Sequence, residues 1–121
     1  MNEDVEVVHY AITAMVELSK EYDHRLQKIE KKYTNDPDDP VVLEEYCDFL
    51  KEYLSQGFME KQMEQIYRNQ YTQLLLKQLE QKVNLHTCVC LMENLMVQRH
   101  FFLAEKILKI MDQNWHRGEE Y

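Results

Sequence analysis

The sequence predicts an all-α protein, and three observations carry that prediction. Only two glycines and two prolines occur in 121 residues, against roughly 7% and 5% in ordinary globular chains. Sheets need frequent tight turns, and tight turns draw on Gly, Pro, Asn and Asp, so a multi-stranded sheet is disfavoured along with any glycine-rich phosphate loop. Apolar residues recur at three- and four-residue spacing in five successive segments, which is the helical period. Helix-starting and helix-stopping residues fall between those segments.

The first segment predicts a long lead helix over 4–33. Val5, Ile12, Ser19, Leu26 and Tyr33 alternate with Val8, Met15, Tyr22 and Ile29 in heptad register. In the first half Ala11, Val16 and Leu18 widen this face, as in a helix packed into a globular core. In the second half Asp23, Arg25, Glu30 and Lys32 flank it. A helix of this length spans about 45 Å at 1.5 Å per residue, and its far end is expected to project. Tyr22, Leu26, Ile29 and Tyr33 are therefore a candidate oligomer surface for a homodimer through helix one. Packing of the third helix along the same face is the competing arrangement.

Asn35-Asp36-Pro37-Asp38-Asp39-Pro40 is the plainest loop in the sequence. Asp39 is a good N-cap and Pro40 a good first helical residue. The helix that follows carries Leu43, Tyr46, Cys47, Leu50, Tyr53 and Leu54 on one stripe and ends at Gly57, a left-handed cap. A third helix is expected over 58–82, with Met63, Ile66, Tyr67, Tyr71, Leu74, Leu75 and Leu79 inward. Together these two form an elongated hairpin over 41–82. Asn84 caps a fourth helix, with Val83 stapled against Cys88 and Leu85, Cys88, Val89, Met92, Leu95 and Met96 inward. After a turn at Arg99-His100, a fifth helix buries Phe101, Ala104, Ile107, Leu108, Met111 and Trp115. The tail over 117–121 is polar and expected to fray. One domain over 1–121 suits this length.

Net charge is −8, from 14 basic and 22 acidic residues, so phosphate backbones and anionic membrane surfaces are repelled. No nucleic-acid partner is expected. Wholly apolar runs such as Leu74–Leu76 and Cys88–Met92 are only a few residues long, too short for a membrane span or a signal peptide. Three cysteines without a secretion signal point to reduced thiols in a cytoplasm. Tethering at the inner membrane through a partner or a missing segment stays open.

The last two helices resemble a degenerate tetratricopeptide (TPR) repeat over 85–118, giving an 85–116 hairpin. Ala104 takes the small-residue position, Leu91 the leucine position, Leu95 and Leu108 large apolar positions, and Phe101 the aromatic after the turn. Met92, Met111 and His116 depart from the family's glycine, alanine and proline. A second frame begins at Leu43 with Gly57 at its turn, Phe49 and Tyr53 in matching positions, and Gln62 mismatched. The frames start 42 residues apart (85 − 43), eight more than a standard repeat, so the third helix overshoots by about 12 Å. The resemblance implies a five-helix, TPR-like right-handed stack of helical hairpins, capped by the lead helix.

The long lead helix, the Asp-Pro loop and the Tyr53-Leu54…Gly57-Phe58 turn also resemble the soluble part of the PelE family of Pel exopolysaccharide secretion. That resemblance implies a scaffold of biofilm exopolysaccharide biosynthesis near the cytoplasmic membrane. Its implied partner is a membrane-associated cyclic-di-GMP-receptor subunit.

Family positions also give a concave partner-binding groove. Glu44, Cys47, Lys51 and Leu54 line it from the second helix. From the fourth come His86, Val89, Glu93, Met96 and Val97. An apolar patch with a charged rim suits a docking peptide or helix, unless the lead helix or a further repeat covers it.

Chemistry-bearing patterns are weaker. His86 and Cys90 share one helical face while Cys88 lies about 200° away, so they do not converge on a tetrahedral ion. Cys47 could join from the second helix, but small buried thiols account for the set. Glu6-x-x-His9 and Glu21-x-x-His24 have di-iron spacing, yet both lie on one helix about 22 Å apart. No nucleophile, base and orienting acid occur together, and no nucleophile elbow is present. Arg25, Lys28, Lys31 and Lys32 suit the C-terminal dipole of the lead helix. The expectation is a non-catalytic protein–protein interaction scaffold with no metal and no cofactor. A secretion-type chaperone gripping a cargo segment and a metal-dependent helical-bundle enzyme are the alternatives.

Overall fold

The computed structural model describes residues 2–115. Within them every regular element is α-helix: α1 (Asn2–Asn35), α2 (Pro40–Ser55), α3 (Lys61–Gln81), α4 (Leu85–Val97) and α5 (Phe101–Asn114). His116, the expected fraying tail from Arg117 and the end of the 85–118 repeat frame lie outside the described residues.

Local chemistry sets the breaks. Asp39 accepts from the Val41 amide at 2.9 Å, and Pro40 opens α2 with its missing amide at a position that needs no donor. At the other end Gly57 adopts φ +73°, a left-handed geometry that costs a side-chain-bearing residue about 1–2 kcal/mol. Asn84 accepts from the Thr87 amide at 3.2 Å and starts α4. The α4–α5 turn reverses direction without glycine. The His100 amide bonds to Leu95 O and the Arg99 amide to Met96 O, a Schellman pattern with Arg99 itself at φ 60°.

Backbones approach closely only between helices consecutive in the chain, so the described residues form a sequential stack. Side chains tie alternate helices together. Tyr67 donates to Glu30 at 3.3 Å, Lys77 donates to the Tyr33 hydroxyl at 3.2 Å, and Lys51 Nζ lies 3.6 Å from Cys90 Sγ. Leu43, Leu50, Cys88, Leu91 and Leu95 are fully excluded from solvent, each aliphatic side chain contributing about 1.5–3 kcal/mol.

Several sequence expectations need correction. α3 starts at Lys61, three residues later than expected, because Phe58 turns out of the helix and its ring packs 5.9 Å from that of Tyr22. Met63 and Ile66 are exposed, since the first two turns of α3 extend beyond the core that begins at Tyr67 and Tyr71. On α4 the inward face is Thr87, Cys88, Cys90, Leu91, Asn94 and Leu95, while Val89 and Met96 face out. Val83 is 44% exposed and does not staple the helix start. Phe101 is also exposed; Ala104, Ile107 and Met111 carry the α5 contact.

The largest correction concerns α1. Its second half packs and its first half does not. Tyr22, Leu26 and Ile29 are buried and Tyr33 is half-buried, whereas every side chain from Glu3 to Leu18 is exposed. The near end therefore projects, not the far end.

Candidate protein-binding surfaces

Side chains of α2 and α4 meet at Lys51 and Cys90, and most of the residues expected to line a groove gather there. Lys51, Leu54, Glu93 and Val97 border one cavity of about 180 Å³. Glu44, Cys47 and His86 border a second of about 130 Å³. Cys90 and Tyr71 belong to both, so they form the wall between them. Val89 and Met96 line neither and face solvent nearby. Cys47 and Leu54 are core residues rather than surface ones. The apolar positions assigned to this groove are thus partly spent on the fold, leaving two small recesses rimmed by charge.

The Cys47 and Cys88 thiols are chemically quiet. Burial, with Asp48 nearby, pushes the Cys47 thiol up to about 12, and burial alone raises Cys88. A thiol kept protonated is a poor nucleophile and metal ligand at neutral pH. Burial and the neighbouring Cys90 push the Tyr71 hydroxyl up as well. Among the described residues no three His, Cys, Asp or Glu side chains group closely enough to hold a metal ion. The Glu6–His9 and Glu21–His24 pairs are exposed along one helix.

The candidate oligomer surface is not free. Tyr22 stacks on Tyr53 with ring centroids 5.0 Å apart and donates to Glu52 at 2.9 Å. Leu26 and Ile29 belong to the shared core, and Tyr33 meets Tyr46 edge-on at 5.4 Å. α2 and α3 consume this half of the heptad face. The basic cluster beside it pairs across to α2, Arg25 with Glu52 at 3.4 Å and Lys32 with Glu45 at 3.2 Å. These exposed pairs contribute at most about 1 kcal/mol each.

What the first half of the same helix presents is larger. Val5, Val7, Val8, Tyr10, Ile12, Met15, Val16 and Leu18 are all between 40% and 78% exposed. None of the other described helices covers them. A second, smaller apolar exposure lies at the α4–α5 turn, where Phe101 and Phe102 stand out beside a hollow of about 630 Å³. Lys106 Nζ sits 4.9 Å from the centroid of the Phe102 ring.

One polar constellation escaped the sequence reading. Asn94, 2% exposed, donates to Thr72 Oγ1 at 2.8 Å and to Arg68 O at 3.1 Å, and accepts from Arg68 Nη1 at 3.0 Å. Gln98 extends the set to Asn69 at 2.9 Å. Helical spacing offers a signal after the fact: Arg68 and Thr72 are four apart on α3, and Asn94 and Gln98 are four apart on α4. Arg68 Nε is buried without a hydrogen-bond partner. The network fixes the register of α3 on α4 and borders the larger recess.

Comparison with protein-family models, with curated proteins and with solved structures returns no match to this chain.

Proposed function

We propose that this chain is a non-catalytic protein–protein interaction scaffold of TPR-like type, built to hold one or more other proteins. The observation that carries the reading is the exposed apolar half of α1. Fully burying a Val, Leu, Ile or Met side chain contributes about 1.5–3 kcal/mol, so seven of them left wet in a monomer, with Tyr10 beside them, constitute a large driving force for association. Contiguous apolar surface of this kind marks interaction sites.

The sequential stack supports the TPR-like part of the reading. α4 and α5 have 13 and 14 residues and pack against each other, and Ala104 is buried. The Pel-type resemblance extends the proposal to a cytoplasmic scaffold in an exopolysaccharide-secretion assembly, held at the inner membrane by its partner. The chaperone alternative is less favoured. Recesses of about 180 and 130 Å³ fall below the roughly 300–1,000 Å³ of ordinary ligand clefts, so little of a cargo segment fits between α2 and α4.

Site-specific photo-crosslinking in the native host tests the reading. A benzophenone side chain at position 12, with position 80 on the exposed side of α3 as control, should give discrete protein adducts from position 12 only. Absence of any adduct at position 12 would end the scaffold proposal.

A further inference from the structure

The chemistry of the partner surface is written around the circumference of α1. Between residues 5 and 18 the polar residues are Glu6, His9, Thr13 and Glu17. Their spacings are three, four and four, so at 3.6 residues per turn they fall on one stripe about 80° wide. Thr13 turns its hydroxyl back to His9 O at 2.8 Å, which occupies its donor within that stripe. The remaining three quarters of the circumference is Val, Ala, Ile, Leu, Met and Tyr, all of it exposed. This differs from an ordinary surface helix, whose apolar stripe is about 100° wide and matches one neighbour.

A helix with so broad an apolar face is not covered by one partner helix lying alongside it. It requires a concave surface, with at least two helices on different sides and an opening along the polar stripe. The segment does not span a bilayer, because fourteen helical residues reach about 21 Å against a hydrocarbon core of about 30 Å, and its acidic excess opposes lying on an anionic membrane surface. Charge then narrows the partner. From residue 3 to residue 21 the acids are Glu3, Asp4, Glu6, Glu17 and Glu21, and the one base is Lys20. A second copy of the chain would bring the same acidic excess against its own. A cleft with basic residues along its rim complements it.

We infer that residues 5–18 of α1 are an insertion helix that seats in an apolar cleft between two or more helices of a different protein, with basic rim side chains facing Glu6 and Glu17. The inference rests on the scaffold reading and specifies its partner surface. It also reverses the direction of recognition: this part of the chain is the inserted element, and the receptor is the other protein.

A designed two-helix hairpin with an open leucine-and-alanine face serves as the probe, made once with a lysine rim and once with a glutamate rim. Fluorescence anisotropy measures its binding to the full chain. The lysine-rim hairpin should bind at least about tenfold more tightly than its glutamate twin, and more weakly as salt rises. Ile12→Glu should weaken that binding at least about tenfold while the urea midpoint of the chain stays unchanged, because Ile12 is exposed. Equal binding of both hairpins, or binding of neither, overturns the basic cleft. So does light scattering that shows dimers lost in Ile12→Glu, or cosedimentation with phosphatidylcholine vesicles. Those results leave the scaffold reading standing if position 12 still crosslinks to protein in the host, so the two failures are distinguishable.

Discussion

The ring of Tyr22 lies 5.0 Å from that of Tyr53, tilted by 26°, and this stack marks the level at which α1 passes from solvent into the core. Tyr53 in turn donates to Asp23, and Tyr22 to Glu52, so two tyrosines clamp α1 to α2 by reciprocal bonds. Tyr22→Ala is therefore expected to lower stability by about 3–5 kcal/mol. Ile12→Ala, ten residues earlier on the same helix, should change it by less than about 0.5 kcal/mol. Urea denaturation followed by circular dichroism separates the two; comparable losses would mean that the first half of α1 is not free.

Asn94 joins Arg68 and Thr72 across the α3–α4 contact, and its removal leaves a half-buried guanidinium with fewer partners. Asn94→Ala should cost about 1–3 kcal/mol, the usual penalty for stranding buried polar groups. The Asn94→Ala/Thr72→Val pair should be non-additive in a double-mutant cycle, since both side chains share one hydrogen bond. Strict additivity would place the two groups in separate environments.

Two turns use left-handed backbone with opposite residue choices, and opposite effects follow. A Cβ at Gly57 would meet nothing within 4 Å, so Gly57→Ala isolates the backbone cost and should destabilise by about 1 kcal/mol. Arg99 bears that cost already at φ 60°. Arg99→Gly should raise stability by about 0.5–1 kcal/mol, relief of strain exceeding the added freedom of the unfolded chain. Thermal melts of the two variants should move in opposite directions.

The fold should be labile to alkali. Burial pushes Tyr46 and Cys47 up to about 12, and burial with the Asp23 hydrogen bond raises Tyr53 further. Unfolded thiols and phenols ionise near 8.5 and 10, so above those values the unfolded chain releases protons that the folded chain retains. Stability then falls as pH rises. It is fully present below about pH 8.5 and is lost progressively as pH approaches 12. A urea midpoint that stays flat between about pH 9 and 12 would contradict this.

The caps were legible in the sequence because they act within a few residues: Asp39 with Val41, Asn84 with Thr87, and Gly57 with its own φ angle. The α2 stripe from Leu43 to Leu54 was equally legible, since all its apolar members face inward. On α4 the same logic misassigned Val89 and Met96, because Cys, Thr and Asn took inward places that hydropathy alone reserves for larger side chains. The groove was half legible: family spacing brought seven of its residues to two adjoining recesses, but not the fact that Cys47 and Leu54 are sealed in the core.

The sequence by itself determined that the chain is helical, that Asp39 and Asn84 cap α2 and α4, and that α1 carries a heptad face interrupted only at Ser19. Tertiary structure decided which half of that face is buried. Periodicity repeats identically along a helix and does not record where its neighbours end. α2, α3 and Phe58 cover α1 from Tyr22 onward, and no other described helix continues past that point. The uncovered half became the candidate binding surface because the surrounding helices stop short of it, a property of their lengths and packing that no residue of α1 encodes.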